Sequence, residues 1–302
     1  MRRARAVLAV LLLVVLAGCG SADPEPREAP AAAGDPVRIA SYDFAENQIL
    51  AELYAEAIRR ADLPVTVQHG IGTREVVLPA LEQGVVDVVV DYLGTALEFV
   101  VPGGPAVPRE SEHVRAELAR VMEQRGATVL TPAAAEDQNG FAVRAAFSEQ
   151  NAVRRLSDLA LVAPDMVFGG PPECPSRPYC LLGLQEVYGL QFGEVRAMSS
   201  RAATAEALLA GEIDIGLLET TDARLGDDEL VLLDDDRKLQ PRENVVPIVR
   251  TAVLADTGDE LRAALDGVSA RLDTPDLVRL NRLVALDGRT PAEAAQLWWA
   301  GR

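Results

Sequence analysis

The sequence predicts an α/β protein that folds into two similar lobes. The first observation is the stretch 37–97, in which apolar strand-like runs alternate with segments of helical periodicity in a βαβαβ order. The second is an echo of residues 80–90 at residues 207–217, where a helix end, a glycine and an apolar strand recur. Because any two αβ units share part of this pattern, the echo alone does not decide between a true repeat and two unrelated αβ units. Two αβ lobes with a cleft between them are the simplest interpretation.

Local signals justify the elements of the first lobe in order. A strand at 37–40 precedes a helix, whose start is indicated by Asp43 with Glu46 three residues later. A second strand at 65–67 precedes a helix that Thr73 can cap and Gly84 ends, and Pro79 inside it predicts a kink or a late start. The run 85–90 is apolar enough for a strand covered on both faces.

Parallel strands connected in this way place any ligand beyond their carboxyl ends. We therefore expect residues 41–43, 69–74 and 91–95 to lie at one edge of the first sheet. The remaining elements follow from the same periodicities. Strands are expected at 129–132, 141–143, 166–168, 195–198, 213–218 and 245–249, and helices at 112–125, from 157, at 182–188, at 202–209 and within 257–299.

The amino-terminal residues predict export and lipid attachment. Three arginines precede an apolar run at 6–16 that is short for a bilayer span. The sequence Leu16-Ala17-Gly18-Cys19 resembles the lipobox of bacterial lipoproteins, which implies cleavage before Cys19 and lipidation of its thiol. An ordinary secretory signal with an incidental cysteine is the alternative. We expect a signal peptide at 1–18 and a lipidated, flexible tether at 19–36, rich in proline and alanine.

The overall charge limits the possible partners. The formal net charge is −17, and Lys238 is the only lysine. An acidic surface argues against nucleic acid and is repelled by anionic lipid, so the lipid anchor is the expected membrane attachment. The length after residue 36 suits two domains of modest size.

Cys174 and Cys180 predict a disulfide, because they lie close together in a proline-rich loop of an exported protein. The only histidines, His69 and His113, lie in other segments, so neither a zinc site nor a Cys-His nucleophile has local support. For the run 234–236 a solvated turn is preferred over calcium binding. No phosphate loop, nucleophile elbow or dinucleotide fingerprint is present, and we expect no cofactor, no metal and no catalysis.

Several motifs together resemble one known family. The segments are ASYDFAENQILAELYAEAI, GIGTREVVLPALEQGVVDVVVDYLGTAL, FGGPPECPSRP, VYGLQFGEV, ALLAGEIDIGLLETTDARL and VLLDDDRKLQP. In this order they resemble the glycine betaine, choline and carnitine binding proteins of osmoprotectant ABC importers. The resemblance implies a type II periplasmic-binding-protein fold that closes on a small solute and delivers it to a membrane permease with an ATPase.

The resemblance also implies how the chain is divided between the lobes. One lobe would comprise 37–137 and 249–302, and the other 138–248. The chain would cross near 138–143 and return near 244–248. The protein would be an extracytoplasmic monomer, with a small-molecule ligand and an ABC permease as partners. A membrane-anchored sensor with the same fold is the alternative from another functional class.

Six residues fall at ligand-binding positions of the family. Tyr92 matches a tyrosine of the box that holds quaternary ammonium groups, whereas Glu219 and Glu243 fall where two other tyrosines are usual. Arg177 matches an arginine on the carboxylate side of the ligand. Arg74 falls where a small polar residue is usual, and Tyr42 replaces a lysine seen in some members.

The two glutamates leave the ligand open. Carboxylates suit a cation that donates hydrogen bonds better than a permethylated one, so one hypothesis is a non-quaternary amine or an amino-acid-like zwitterion. The alternative is an aromatic cage rebuilt from other positions. The candidates for such a cage are Tyr42, Phe44, Phe168 and Tyr179.

Overall fold

The computed structural model describes residues 34–101, 110–226 and 228–301, which form two five-stranded mixed sheets with helices around each. The expected α/β class is therefore confirmed. The predicted signal peptide, Cys19 and most of the tether lie outside the described residues. Within the described ranges, no helix is both long enough and apolar enough to cross a membrane.

The helices and strands have the following bounds. The strands are β1 Val37–Ala40, β2 Val65–Gln68, β3 Val88–Tyr92, β4 Ala127–Val129, β5 Asn139–Arg144, β6 Val167–Gly170, β7 Glu194–Ala197, β8 Ile215–Glu219, β9 Leu230–Leu232 and β10 Val245–Arg250. The helices are α1 Ala45–Arg60, α2 Arg74–Glu82, α3 Leu93–Val100, α4 Ser111–Glu123, α5 Ala145–Asn151, α6 Leu181–Gly183, α7 Arg201–Ala210, α8 Thr251–Ser269, α9 Thr274–Ala285 and α10 Pro291–Ala300.

The two sheets have the same topology. Their strand orders are β2-β1-β3-β10-β4 and β7-β6-β8-β5-β9, so each consists of three parallel strands followed by an antiparallel pair of neighbours. Gly84 and Gly211 end equivalent helices with φ of 73° and 74°, a conformation that favours glycine. The sequence echo is thus a topological repeat, in which β3 and β8 hold equivalent central positions.

The first sheet is buried on both faces, as its apolar central strand predicts. Alternate residues of β3 point to opposite sides, so Val88 and Val90 pack against α1 and the carboxyl-terminal helices, whereas Val89 packs on the side of α2, α3 and α4. Trp298 and Trp299 lie edge to face with centroids 5.2 Å apart at this helical layer. The tail helices therefore belong to the first sheet.

The second sheet also has a hydrophobic core on each face, and one of these cores contains Phe168, a candidate residue of the aromatic cage. Phe168 of β6 is fully buried, with its ring centroid 6.2 Å from that of Phe141 and 5.2 Å from that of Phe192. The idea that Phe168 contributes to an aromatic cage is therefore wrong, because its ring is enclosed by core side chains.

Among the α-helices and strands of the described residues, three are not among those predicted: α3, α5 and β9. Helix α3 begins at Leu93, directly after β3, so no loop residues separate the strand from the helix in the sequence. Pro79 lies inside α2, which is continuous from Arg74 to Glu82. Helix α8 contains a break at Gly258, whose φ is 62° and ψ −147°.

Two segments connect the sheets and lie side by side. The first precedes β5 and the second precedes β10, and an antiparallel bridge joins Glu136 to Asn244. All of β10 is hydrogen-bonded to β3 and β4 of the first sheet, so a boundary between residues 248 and 249 would divide this strand. The two crossings thus begin a few residues earlier than the positions that the sequence analysis expects.

The predicted disulfide between Cys174 and Cys180 is confirmed, with Cα atoms 5.3 Å apart. It closes the loop that follows β6.

In the acidic run 234–236, Asp235 accepts hydrogen bonds from the backbone of Leu239 and Gln240 and from the hydroxyl of Tyr188. This carboxylate organises the turn that leads into the second crossing.

Candidate functional site

A cleft of about 270 Å³ lies where the two sheets face each other beside the crossing segments. The ends of β3 and β8 both reach it, as expected for ligand sites beyond carboxyl ends of strands. Its lining is aromatic and acidic, and it contains residues from both sheets. The lining residues are Phe44, Arg74, Tyr92, Thr95, Glu98, Asp137, Gln138, Asn139, Tyr179, Glu219, Gln240, Pro241 and Glu243.

One side of the cleft is built on the carboxylate of Asp91, which is fully buried at the end of β3. Arg74 donates from Nη2 to Asp91 Oδ1 at 2.7 Å and to Thr95 Oγ1 at 3.0 Å. The hydroxyl of Tyr42 donates to Asp91 Oδ2 at 2.5 Å. Arg74 therefore forms an ion pair at the cleft with a carboxylate of the protein itself.

Three aromatic rings form a row along the same wall. The Phe44 centroid is 6.1 Å from that of Tyr42 and 6.2 Å from that of Tyr92, with interplanar angles of 16° and 27°. Phe44 lies just before α1 and is 41% exposed, whereas the two tyrosines are buried. The Phe44 ring thus lines the cleft, and Tyr42 supports it from outside the lining.

Tyr92 takes part in a chain of polar contacts that connects the two sheets. Its hydroxyl donates to Glu46 Oε1 at 2.7 Å, and the side chain of Asn281 donates to Glu46 Oε2 at 2.6 Å and to the carbonyl of Thr221 at 2.9 Å. Asn281 lies on α9, which packs against the turn 223–226 after β8. A helix from the carboxyl-terminal tail therefore fixes the orientation of a cleft tyrosine.

Glu243 reaches the cleft from the second crossing segment. Its Oε2 accepts hydrogen bonds from the backbone nitrogen of Thr95 at 3.1 Å and from Thr95 Oγ1 at 3.3 Å. The close approach of Arg242 and Glu243 to α3 requires glycine at position 94, because a Cβ there would lie 2.8 Å from the Arg242 carbonyl and 2.9 Å from Glu243 Oε1. The glutamate is thus held at the start of α3.

Two further carboxylates face the cleft from the second sheet and the first crossing. Glu219 ends β8, opposite Asn139 in the strand register, and accepts a bond from Nε of Arg201 at 2.8 Å. Asp137 accepts a hydrogen bond from Thr221 Oγ1 at 2.9 Å, and its backbone nitrogen donates to the Glu243 carbonyl at 3.2 Å. Together with Glu98 of α3, four acids therefore line one small volume.

Burial changes the acidity of this cluster. It raises the pKa of Glu243 to about 8, with the charge of Asp91 adding to the effect. It also raises the pKa of Glu46, and it raises that of Asp137 well above the usual range, where the neighbouring charges of Glu46 and Glu219 reinforce it. Burial lowers the pKa of Arg74, but Asp91 more than offsets this, so the pKa of Arg74 is raised and its charge is retained.

A second cavity of about 370 Å³ adjoins the cleft and shares Glu98, Asn139, Tyr179 and Pro241 with it. It lies between α3 and α4 on one side and the disulfide loop on the other. Arg177 lines this cavity and not the cleft itself. A ligand with a cationic head in the cleft would extend its other end toward Arg177.

The structure brings Arg74, Tyr92, Glu219 and Glu243 together around the cleft, as the sequence analysis expects of site residues. Tyr42 lies behind this wall and Arg177 in the adjoining cavity, and the role of all six in binding stays a prediction. Among the alternative cage residues, Phe44 and Tyr179 line the cleft. The sequence analysis did not single out Asp137 or Glu46 as site residues. The available signals were the position of Asp137 directly before the expected crossing at 138–143 and the position of Glu46 at a helix start.

The chemistry of the cleft favours a positive ligand. Aromatic faces attract cations, and buried carboxylates are stabilised in their charged form by an adjacent positive group. Of the two arginines nearest to the acids, Arg74 is bonded to Asp91 and Arg201 to Glu219. The described residues form no metal-binding group of three or more histidine, cysteine or acidic side chains.

Comparisons with known proteins show to which family the chain is similar. Residues 35–301 match the model of the substrate binding domain of ABC-type glycine betaine transport systems. A glycine-betaine-binding protein of Pseudomonas aeruginosa is 28% identical over 275 residues, which cover 87% of each chain. The glycine betaine-binding protein YehZ of Escherichia coli is 24% identical over 269 residues, covering 86% of this chain and 88% of its own.

The fold has a close counterpart among solved structures. A crystal structure described as a glycine betaine/carnitine/choline ABC transporter superposes with a TM-score of 0.81 at 22% identity, and covers 88% of this chain and 98% of its own. The type II periplasmic-binding-protein fold is thereby confirmed. These comparisons favour import over the sensor alternative and do not favour a non-quaternary amine. The family match over residues 35–301 shows that this chain belongs to the family of substrate-binding domains of ABC-type glycine betaine transport systems.

Proposed function

We propose that this protein captures a small quaternary ammonium solute, such as glycine betaine or choline, outside the cytoplasm and presents it to an ABC permease. The observation that carries this proposal is that the exposed aromatic ring of Phe44 and the carboxyl groups of Glu243 and Asp137 line one cleft. A permethylated cation has no N–H donors, so aromatic faces and nearby negative charges are its suitable partners. Binding without chemical conversion is the expected activity.

The proposal includes how the protein is held at the membrane. Lipidation of Cys19 would anchor the chain to the outer face of the cell membrane, and residues 19–36 would let the lobes reach the permease. We expect the protein to act as a monomer. The two lobes would close around the solute by a hinge at the side-by-side crossing segments, where Glu136 bridges Asn244.

Tyr42, Arg74, Tyr92, Arg177, Glu219 and Glu243 have different proposed tasks. Tyr92 and the Phe44 face contact the cationic head, and Glu219 and Glu243 supply negative charge beside it. Arg177 binds the carboxylate of a zwitterionic ligand where that end of the ligand extends into the adjoining cavity. Arg74 and Tyr42 position this wall through their bonds to Asp91.

A ligand panel with matched methylation tests the proposed function. Thermal unfolding would be followed with glycine betaine and glycine, with choline and ethanolamine, and with carnitine. A ligand present at a hundred times its Kd stabilises the folded state by about 2.7 kcal/mol. We expect at least one methylated compound to raise the Tm strongly and its unmethylated counterpart to have little effect. Stabilisation by glycine or ethanolamine alone would instead support the hydrogen-bonding amine hypothesis.

Replacing Phe44 by leucine should weaken binding of a quaternary ligand by roughly 30-fold, because a desolvated cation–π contact contributes about 2 kcal/mol. Leucine keeps an apolar side chain at the mouth of the cleft but removes the aromatic face. Isothermal titration would measure the Kd. The matched control is Phe147→Leu, the same change at a partly buried position on α5 that does not line the cleft. Equal affinities of Phe44→Leu and Phe147→Leu for the ligand would show that the Phe44 ring does not contribute to binding.

A further inference from the structure

A group of carboxylates meets where the two crossing segments run side by side. Asp137 lies on the first crossing and Glu243 on the second, and the backbone nitrogen of Asp137 donates to the carbonyl of Glu243 at 3.2 Å. Glu46 lies behind Tyr92, which donates to it at 2.7 Å. The cluster therefore sits at the expected hinge and beside the aromatic row, where a cationic head would be enclosed.

Charged neighbours do not neutralise these acids. Arg74 lies on the Glu243 side, but its guanidinium is bonded to Asp91, and Arg201 is bonded to Glu219. Among the described residues, no arginine, lysine or histidine forms an ion pair with Asp137, Glu243 or Glu46. The cluster thus lacks a cation of its own.

The groups that face each acid come from several elements. Glu243 is faced by Arg74 of α2, Asp91 of β3, Thr95 of α3, Asp137 and Tyr179. Asp137 is faced by Glu46 of α1, Tyr92 of β3, Glu219 of β8, Thr221 and Glu243. Glu46 is faced by Tyr92, Asp137, Thr221, Asn281 and Glu219. Apart from Arg74, every ionisable group in these three sets is an acid or a tyrosine.

Burial among like charges favours the protonated forms of Glu243 and Asp137 in the ligand-free cleft. The pKa of Glu243 is raised to about 8, and that of Asp137 is raised well above its usual range. A positive head group placed between these carboxylates and Phe44 stabilises the ionised form instead. Since the cleft is small, at about 270 Å³, the cation cannot enter without coming close to the acids that line it.

We propose that Asp137 and Glu243 together form the counter-anion of the cationic ligand, and that ligand binding releases a proton from this pair to solvent. The exchange balances in charge: a neutral protonated site and a ligand cation give an ion pair inside the cleft and one proton outside. Glu46 remains behind Tyr92 as a positioning residue. The inference rests on the proposed function, because it requires a ligand with a cationic head.

Proton release can be counted by isothermal titration of the full chain with choline and with glycine betaine at pH 7. Titrations in phosphate and in Tris separate the heat of proton release from the heat of binding, since the two buffers differ in ionisation enthalpy. We expect release of between about half a proton and one proton per ligand bound, and an affinity that rises by up to tenfold per pH unit below the pKa of the site. An equal heat of binding in both buffers would overturn the inference and leave the proposed function intact.

Two variants identify the source of the proton. Glu243→Gln and Asp137→Asn should each reduce proton release and flatten the dependence of affinity on pH. Glu149→Gln removes an exposed carboxylate from α5, outside the cleft, and should leave both quantities unchanged. Unchanged release in both cleft variants would contradict the assignment. Failure of the parent protein to bind either compound would overturn the proposed function and this inference together.

Discussion

Replacing Arg74 by methionine is expected to lower the free energy of unfolding by about 3–5 kcal/mol, the usual cost of removing one partner from a buried ion pair. The carboxylate of Asp91 is fully buried, and Arg74 is its only cationic partner among the described residues. The hydroxyl of Tyr42 and the backbone nitrogen of Tyr92 would still donate to Asp91. They stabilise the carboxylate but cannot neutralise it.

A second substitution separates loss of the ion pair from loss of packing. In the Arg74→Met background, Asp91→Asn removes the uncompensated charge at nearly constant volume, so the double variant should recover much of the lost stability. Urea unfolding at pH 7 measures all the variants. Arg115→Met is the control, because the Arg115–Glu112 pair lies on the surface and such pairs contribute about 0–1 kcal/mol. Equal losses for Arg74→Met and Arg115→Met would show that the buried pair is not stabilising.

The same ion pair has a functional consequence for the cleft. Tyr42, Phe44 and Tyr92 form one row of rings, and Asp91 bonds both the Tyr42 hydroxyl and the Tyr92 backbone. Arg74 thus stabilises the wall against which a cationic head would lie. This accounts for an arginine where the resemblance leads one to expect a small polar residue: its charge is used inside the protein.

Sequence patterns were sufficient for most of the architecture. Alternating periodicities placed β1, α1 and β2, and the echo around Gly84 and Gly211 correctly indicated a repeat, because both signals are local in the chain. Continued by two residues, the echo of 80–90 at 207–217 makes Tyr92 and Glu219 equivalent, and the registers of β3 and β8 agree with this. Helix α3 was not predicted, because it begins directly after β3 and no loop residues mark where the strand ends.

The acidic cluster could not be predicted in the same way. Glu46, Asp137 and Glu243 are far apart in the chain, and the side-by-side crossings and the packing of α9 against the turn 223–226 contribute to bringing them together. Asn281 illustrates the difficulty, since it lies on a tail helix whose apolar pattern gives no sign that a polar residue reaches Glu46. Sequence periodicity reports which face of an element is buried, but not which distant polar group it meets.

The ligand-free protein should lose stability as the pH rises, and Glu243 should account for much of the loss. Its ordinary pKa is 4.5, which applies to the unfolded chain, and burial raises the pKa to about 8 in the folded protein. Between these values the folded state binds more protons than the unfolded state, so stability is greatest below pH 4.5 for this group and falls as the pH approaches 8. The shift corresponds to a loss of roughly 3–5 kcal/mol. Burial of Glu46 and Asp137 acts in the same direction.

Urea unfolding of ligand-free protein at several values between pH 5 and pH 8.5 measures this dependence. Glu243→Gln keeps an acceptor for Thr95 but cannot ionise, so its stability should change much less and should exceed that of the parent protein at the alkaline end. Asp158 does not interfere, because its hydrogen bond with Arg155 lowers its pKa to about 2, below the range of the experiment. Glu149→Gln should follow the parent curve. Parallel curves for Glu243→Gln and the parent would mean that Glu243 is already ionised in the folded protein, and a cation would then bind it without displacing a proton.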